Sequence, residues 1–342
     1  MALTSGAGPH SAWLNVNGSP LPITHGNVSQ SAQRKSSQFS VTIPLSFSGA
    51  KDILANVGGR DKTSIGVTTR GVTGNLIVGY IENVNFDYIG RTIHVDGHDV
   101  SALLHEKKIS ESFRNKKGSE IVSDLIGRCD LTGSITSSDL MAGKKIYQDY
   151  VKLTDNVSFA YVIHKISEQD GARWFVDNNG TFHYVPLGSP NGIYSIFVND
   201  SGEPVQSDCL MLKVKRNVPA SMGISTDIKS WNPSEKKVFS YKSTIPGNGG
   251  PREFQYHIPN LRQDHVQKYA RSLGKEKARH ELKVSATVVG DPSVNASMGL
   301  SLSGSGYFDQ TYDIDTVLHD FGIRGHQTHI TASSAKEGRE AS

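Results

Sequence analysis

The feature that most constrains this chain is a change of hydrophobic period along it. Between residues 11 and 105 apolar residues recur at every second position in short runs. Trp13-Leu14-Asn15-Val16-Asn17-Gly18 alternates and stops on a turn residue. Phe39, Val41 and Ile43 share one face, with Ser40 and Thr42 on the other. Leu76-Ile77-Val78-Gly79-Tyr80-Ile81 is a buried run, and Arg91-Thr92-Ile93-His94-Val95-Asp96-Gly97 closes the set. A period of two places side chains on opposite faces of a strand. Short strands with Gly, Asn and Ser between them predict a barrel or sandwich.

Near residue 105 the period becomes helical. Ile121, Val122, Leu125, Ile126 and Cys129 recur at helical spacing behind a Ser119 N-cap. A second helix is predicted over 156–169, with Phe159, Val162, Ile163 and Ile166 inward and Gly171 as its stop. Arg173–Val176 and Thr181–Val185 flank Asp177-Asn178-Asn179-Gly180, a hairpin signal. Beyond the linker Gly188–Gly192 strands resume at 193–198 and 210–215. A helix over 260–281 shows Val266, Tyr269, Ala270 and Leu273 on one face. Gly274 weakens it by about 1 kcal/mol relative to Ala. Four more strands follow, over 282–289, 298–302, 312–319 and 327–332.

The predicted fold class is therefore mainly β with an α+β insert: two barrel-type domains and a small helix/hairpin module. The expected divisions are 1–105, a first barrel; 106–190, the insert; 191–335, a second barrel carrying the helix; and 336–342, a polar tail. A length of 342 residues agrees with more than one domain. Lys and Arg exceed Asp and Glu by only 3, which argues against a nucleic-acid binder with a concentrated basic face. Two cysteines, Cys129 and Cys209, make no disulfide framework and are expected as small buried hydrophobes. The N-terminus does not read as a signal peptide, and apolar runs fall far short of the roughly 20 residues of a membrane span. The expectation is a chain made in a cytoplasm that does not insert into membranes by itself.

Few residues suggest chemistry. His319, His326 and His329 stand near Asp309, Asp313, Asp315 and Asp320, and 313 and 315 share a face on one strand. They are weak candidates for metal ligands, because the spacing matches no common metal motif; barrel histidines beside a solvated acidic face are the simpler expectation. His94-Val95-Asp96-Gly97-His98-Asp99 reads as a strand end, a Gly turn and an Asp capping a short turn or helix at 100–104. Arg262, Lys268, Arg271 and Lys275 give the last helix a basic face that suits a neighbouring subunit or solvent. The first 50 residues hold no Asp or Glu, only Arg34 and Lys35 as charges. With Phe39 and Val41, these are the candidate contacts to another chain. No P-loop, dinucleotide fingerprint, nucleophile elbow or zincin motif is present. No catalytic residue, cofactor or resident metal is expected.

The order of motifs resembles a known family. Val95–Leu104 is similar to the end of the first barrel in the baseplate hub proteins of contractile-tailed phages, the late control protein D or Mu-like tail hub family. Phe113–Val122 resembles the linker and helix that follow there. Gly171, Trp174, Val176, Gly180 and Pro186 match the family's hairpin pattern. Val288-Val289-Gly290-Asp291-Pro292, Gly304, Tyr312, Asp315, His319, Gly325 and Thr328 resemble its last part, with His326 where an aromatic is common. The resemblance covers roughly residues 10–335 and extends to the hub part of type VI secretion spike proteins.

This resemblance implies a non-enzymatic homotrimer whose two barrels per chain make a pseudo-sixfold ring between a hexameric tail tube and a trimeric spike. Implied partners are the spike protein, the tube or tube-initiator protein, other baseplate proteins, and a tape-measure protein or DNA in the lumen. The implied location is the virion tail baseplate, assembled in the host cytoplasm. The alternative is a tail-associated cell-wall or glycan hydrolase using the Asp309–Asp320 acids.

Overall fold

The computed structural model describes residues 10–111, 113, 116–139, 141–142, 157–199, 201–202, 204–233, 235–323 and 325–334. The tail expected at 336–342 lies outside them. The first strands are β1 (His10–Val16), β2 (Ser19–Pro22), β3 (His25–Ser31), β4 (Gln38–Pro44), β5 (Lys62–Thr69), β6 (Val72–Asp87) and β7 (Thr92–Asp99), with α1 (Ala50–Ala55) after β4. They pair antiparallel in the order β3-β4-β7-β6-β5-β1-β2. The curled sheet is tied at its corner: Ile23 N–H donates to the Ala12 carbonyl, and Thr24 N–H to that of Thr42. The alternation predicted for Phe39, Val41 and Ile43 is met, and all three sit in one core with Leu14, Ile65 and Ile93.

The predicted turn at Gly97 does not form. β7 runs on to Asp99, because Gly97 is where the Phe39 ring and the Tyr80 carbonyl approach the strand; a Cβ there would lie 2.2 Å from that oxygen. Asp99 caps the turn that leads into the helix, while the N-cap of the helix itself is Ser101. The buried Asp99 carboxylate accepts from Ser101 N–H at 2.8 Å and Ser101 Oγ at 2.5 Å, and also from Ser37 N–H at 2.6 Å. It therefore fixes the exit of the barrel into α2 (Ala102–Glu106).

The insert contains β8 (Lys108–Ile109), α3 (Gly118–Gly127), β9 (Gly133–Ile135), β10 (Val157–Ser158), α4 (Phe159–Asp170), β11 (Ala172–Val176) and β12 (Phe182–Pro186). Both helices pack on the hairpin β11–β12. Ile121, Leu125, Ile163, Ile166, Trp174 and Phe182 form a single core. Cys129 is buried in it, and burial pushes its thiol up. Gly171 takes the left-handed conformation that ends α4.

The last part holds β13 (Ile193–Asn199), β14 (Gln206–Ser207), β15 (Met211–Arg216), β16 (Ile224–Asn232), β17 (Lys237–Ile245), β18 (Arg252–His257), α5 (Gln263–Ala278), β19 (Leu282–Val289), β20 (Gly299–Ser303), β21 (Gln310–Gly322) and β22 (Gly325–Ser334). β13, β20, β21, β22, β19 and β15 pair in that order around a further core, to which Ile196, Val284, Leu300, Tyr312 and Ile330 belong. Cys209 is buried there, in the segment between β14 and β15. The strands β17-β16-β18 do not join this sheet. They form a separate three-stranded sheet that packs on α5 through Ile228, Phe239, Val266 and Ala270.

One strand unites the two large cores. β21 begins against β20 and ends against β3, pairing Thr316–Gly322 with His25–Ser31. Tyr312, Ile314 and Val317 fill the second core, while Phe321 fills the first. A β-bulge between Ile314 and Thr316 lies where β21 changes its partner from β20 to β3; a bulge bends a strand and raises its twist.

Gly274 in α5 has helical dihedrals, and a Cβ built there meets Ile245 and Thr226 at ordinary contact distances of 3.5 Å. Gly274→Ala should therefore raise stability by about 0.5–1 kcal/mol, read as a higher urea midpoint at unchanged m-value.

Candidate functional site

Two of the acids singled out in the sequence, Asp313 and Asp315, lie at the joint around the bulge. Asp315 is the extra residue of the bulge, opposite no partner on β22. Its carboxylate accepts from Arg279 Nη2 at 2.6 Å, with both groups buried, and also from Gln33 Nε2 and Ser333 Oγ. Arg279 ends α5, Gln33 follows β3, and Ser333 lies on β22, so one carboxylate ties three segments. Arg173, buried on the module's hairpin, reaches the carbonyls of Ser189 and Ser297 at 3.3 Å. Burial pushes its guanidinium down, while the charges of Asp313 and then Asp315 oppose that shift. Arg34 crosses to the same hairpin and donates to the Ala172 carbonyl at 2.9 Å.

This arrangement is poor for acid–base catalysis. The bulge places Asp315 against Arg279, while Asp313 is buried, so neither is offered to a cleft. Asp309 is exposed just before β21; the bond it accepts from Ser305 Oγ, helped by those from Gly304 and Ser305 N–H, holds its carboxyl below the usual range against an opposing push from desolvation. Asp320 lies near the other end of β21. At ~3.3 Å per residue the two ends are roughly 36 Å apart, against the roughly 5–10 Å between the two carboxyls of a glycosidase.

His319 and His326 do meet, side by side on one face of the hairpin β21–β22. His319 Nδ1 lies 3.2 Å from His326 Nε2, and His319 Nε2 is 3.1 Å from the Val294 carbonyl. Thr69 Oγ1 is 2.8 Å from His326 Nδ1. The bonds run in one direction when both rings are neutral: the Thr69 hydroxyl donates to His326, His326 to His319, and His319 to Val294. Each ring then has a donor and an acceptor satisfied, and burial holds both in that neutral state, pushing His319 down to about 3 and His326 to about 4. Gly290 is obligatory beside them, since a Cβ would fall 2.1 Å from His326 Cγ. His329 pairs with Thr287 Oγ1 on the opposite face of the sheet, so the three imidazoles do not converge. Among the described residues no group of His, Cys, Asp or Glu is placed to hold a metal ion.

The interface candidates divide. Phe39 and Val41 are 3% and 1% exposed inside the first core, so their side chains are taken up within the chain. Arg34 serves the hairpin contact, and Lys35 is exposed. On α5, Lys268 faces Asp170 at 3.6 Å, Arg271 lies over the Tyr241 ring, and Arg262 reaches Glu235 at 3.4 Å, whereas Lys275 is exposed. Much of the basic face is thus spent on the chain itself. The buried Arg173 and Arg279 were not singled out as site residues; a basic residue inside an apolar strand run, as in Ala172-Arg173-Trp174-Phe175-Val176, is the signal that could have found the first.

This is the fold of phage tail proteins. A 43 kDa tail protein of prophage MuSo2 from Shewanella oneidensis superposes with a TM-score of 0.68 at 14% identity, covering 96% of this chain and 99% of that one. A tail protein of Neisseria meningitidis MC58 gives 0.68 at 10% identity, over 96% and 97%. An Escherichia coli component of the type VI secretion system, described as similar to the bacteriophage T4 tail proteins gp27 and gp5, gives 0.56 at 10% identity, over 95% and 77%. No protein-family model matches the sequence, and no curated protein is similar to it.

Two outcomes follow. Asp315→Ala leaves the buried Arg279 only the long 4.0 Å contact with Glu276 and should cost about 3 kcal/mol, whereas Asp315→Leu combined with Arg279→Met should recover much of it; urea titrations of wild type and the two variants decide. The histidine pair binds fewer protons folded than unfolded, so its contribution is complete above pH ~6.5 and is lost as pH falls towards 4 and 3. The stability difference between wild type and His326→Phe should therefore change across that window and be flat from pH 7 to 8, measured by denaturant midpoints.

Proposed function

We propose that this chain is the structural hub of a contractile phage tail or of a related injection device, acting as a homotrimer between tail tube and spike. The observation that carries the reading is a fold shared over nearly the whole chain with phage tail proteins, in which two β cores are joined through one continuous hairpin. The resemblance to a type VI secretion component supports the same role. Three chains with two barrels each present six near-equivalent surfaces to a hexameric tube and three to a trimeric spike. That meets a symmetry mismatch without unsatisfied contacts. In this reading residues 1–105 and 191–335 are the ring-forming parts and 106–190 is a module on their flank. Partners are the spike, the tube or tube-initiator protein and other baseplate proteins, with the tape-measure protein or DNA in the lumen, and the site of action is the virion baseplate after assembly in the host cytoplasm.

A non-enzymatic role is part of the proposal, because the acids of β21 are engaged in the joint or lie far apart. Light scattering on the purified chain with its spike should give three copies of the 37.1 kDa chain, and images of the particle a ring of six similar lobes. A stable 1:1 complex without a ring would overturn the hub reading. Cell-wall zymograms should stay blank; clearing that Asp313→Asn abolishes would establish the hydrolase instead.

A further inference from the structure

The two large cores repeat one antiparallel strand plan. In the first the order is β3-β4-β7-β6-β5, and in the second it is β15-β19-β22-β21-β20. Each copy of the plan has a bulge in its long hairpin, between Ile81 and Asn83 in β6 and between Ile314 and Thr316 in β21. Aligning the ladders at the bulges fixes the correspondence strand by strand. Asn83 falls on Thr316, Gly97 on Ala332, Phe39 on Val284 and Val28 on Val214. The match extends to side chains. Thr42 Oγ1 lies 3.0 Å from His94 Nδ1, and at the corresponding positions Thr287 Oγ1 lies 2.9 Å from His329 Nδ1.

The repeat is treated differently at its edges. Beyond its bulge β21 lies against β3, and Val317, His319 and Val28 are fully buried at that seam. The corresponding edges are open. Among the described residues, β6 beyond its bulge pairs only with β7, and β15 pairs only with β19. Val84, Phe86 and Val214, the counterparts of Val317, His319 and Val28, are only half-buried. Asn217 N–H donates to the Glu281 carbonyl, and alternation from there turns the N–H and C=O of Val214 and Arg216 away from β19. An open strand edge is a template for another strand.

From the repeated plan we infer that residues 83–87 of β6 in one copy add antiparallel to β15 of a second copy, in the register of the β21–β3 seam. The occupant is another copy of this chain, because the chain already pairs the counterparts of these two edges with each other. That register sets Asn85 opposite Lys215, Phe86 opposite Val214 and Asp87 opposite Lys213. Apolar side chains then meet on the core side and opposite charges on the other, both favourable cross-strand pairs. The contact runs head to tail, from the first barrel of one copy to the second barrel of the next, and a head-to-tail contact whose rotation closes makes a ring. The inference rests on the hub reading and supplies its contact between copies.

The test uses the full chain with the spike protein of the same tail. The Ala32 N–H bond to the Asp315 carbonyl sets the phase of the seam within the chain. In that phase Asn85 and Lys215 form a non-hydrogen-bonded pair with Cα atoms roughly 4.5 Å apart, within the range of a disulfide. Asn85→Cys combined with Lys215→Cys should give, on oxidation, a covalent trimer of the 37.1 kDa chain on a non-reducing gel. Asn85→Cys combined with Lys213→Cys, two residues out of register, should give about tenfold less, and each single variant none. Lys213→Asp should weaken the trimer in light scattering, and adding Asp87→Lys should restore it. Equal yields from the two registers, a disulfide closed within one chain, or a swap that restores nothing overturns the inference. A trimer that forms with the spike yet gives no cross-link overturns this contact alone, whereas an unmodified chain that forms no trimer with the spike overturns the hub reading and the contact with it.

Discussion

The structure depends on one strand being shared by two cores, and on the single carboxylate placed where it changes allegiance. β21 would carry a straight ladder from one barrel to the other if its register were continuous. The bulge at Asp315 breaks the ladder, and the chain has to accommodate an extra residue between two apolar neighbours. A carboxylate buried there would be costly alone. It is compensated by Arg279, Gln33 and Ser333, which come from three different places in the chain. The pair is thus better seen as a register pin than as a source of net stability, since a buried ion pair seldom outperforms apolar packing of the same volume. It specifies where β21 bends, and so the angle between the barrels.

Much of the fold was legible because it is written in local period. Phe39, Val41 and Ile43 declare their face at every second position, and the inward residues of α3 and α4 at every third or fourth. Asp99 could be read as a cap from its place at the end of the strand. What could not be read is long-range. Gly97 looks like a turn until Phe39, 58 positions earlier in sequence, is placed over it. Nothing in Gln310–Gly322 shows that its two halves belong to different barrels, because both halves alternate. The detachment of β16–β18 from the large sheet is likewise a matter of pairing, which a propensity argument does not reach.

The candidate site was legible in composition and not in role. The sequence showed histidines and aspartates close together near the C-terminus, and the structure shows why they are there. Alternation on β22 sends His326 and Thr328 to one face and His329 to the other, so a triad in sequence becomes a pair in space. The pair is satisfied as a directed chain of neutral rings, ending on a carbonyl of the loop that leads into β20. Ionisable residues are used here as short, stiff hydrogen-bonding connectors, and burial holds them neutral or paired.

These connectors bear on the proposed role through rigidity. Two barrels on a flexible linker would sample many mutual angles, and a ring built from them would lose that freedom on closure, at an entropic cost for each chain. Here the linker between cores is a hydrogen-bonded hairpin, braced by Asp315 on one side and by the His319–His326 chain on the other. The module is fastened to the same joint by Arg173 and Arg34. The angle between barrels is therefore set before assembly. A chain whose two barrels occupy neighbouring places in a ring gains most from this arrangement, because each copy then carries a fixed share of the ring's curvature. That is a physical reason for burying so much charge at this joint.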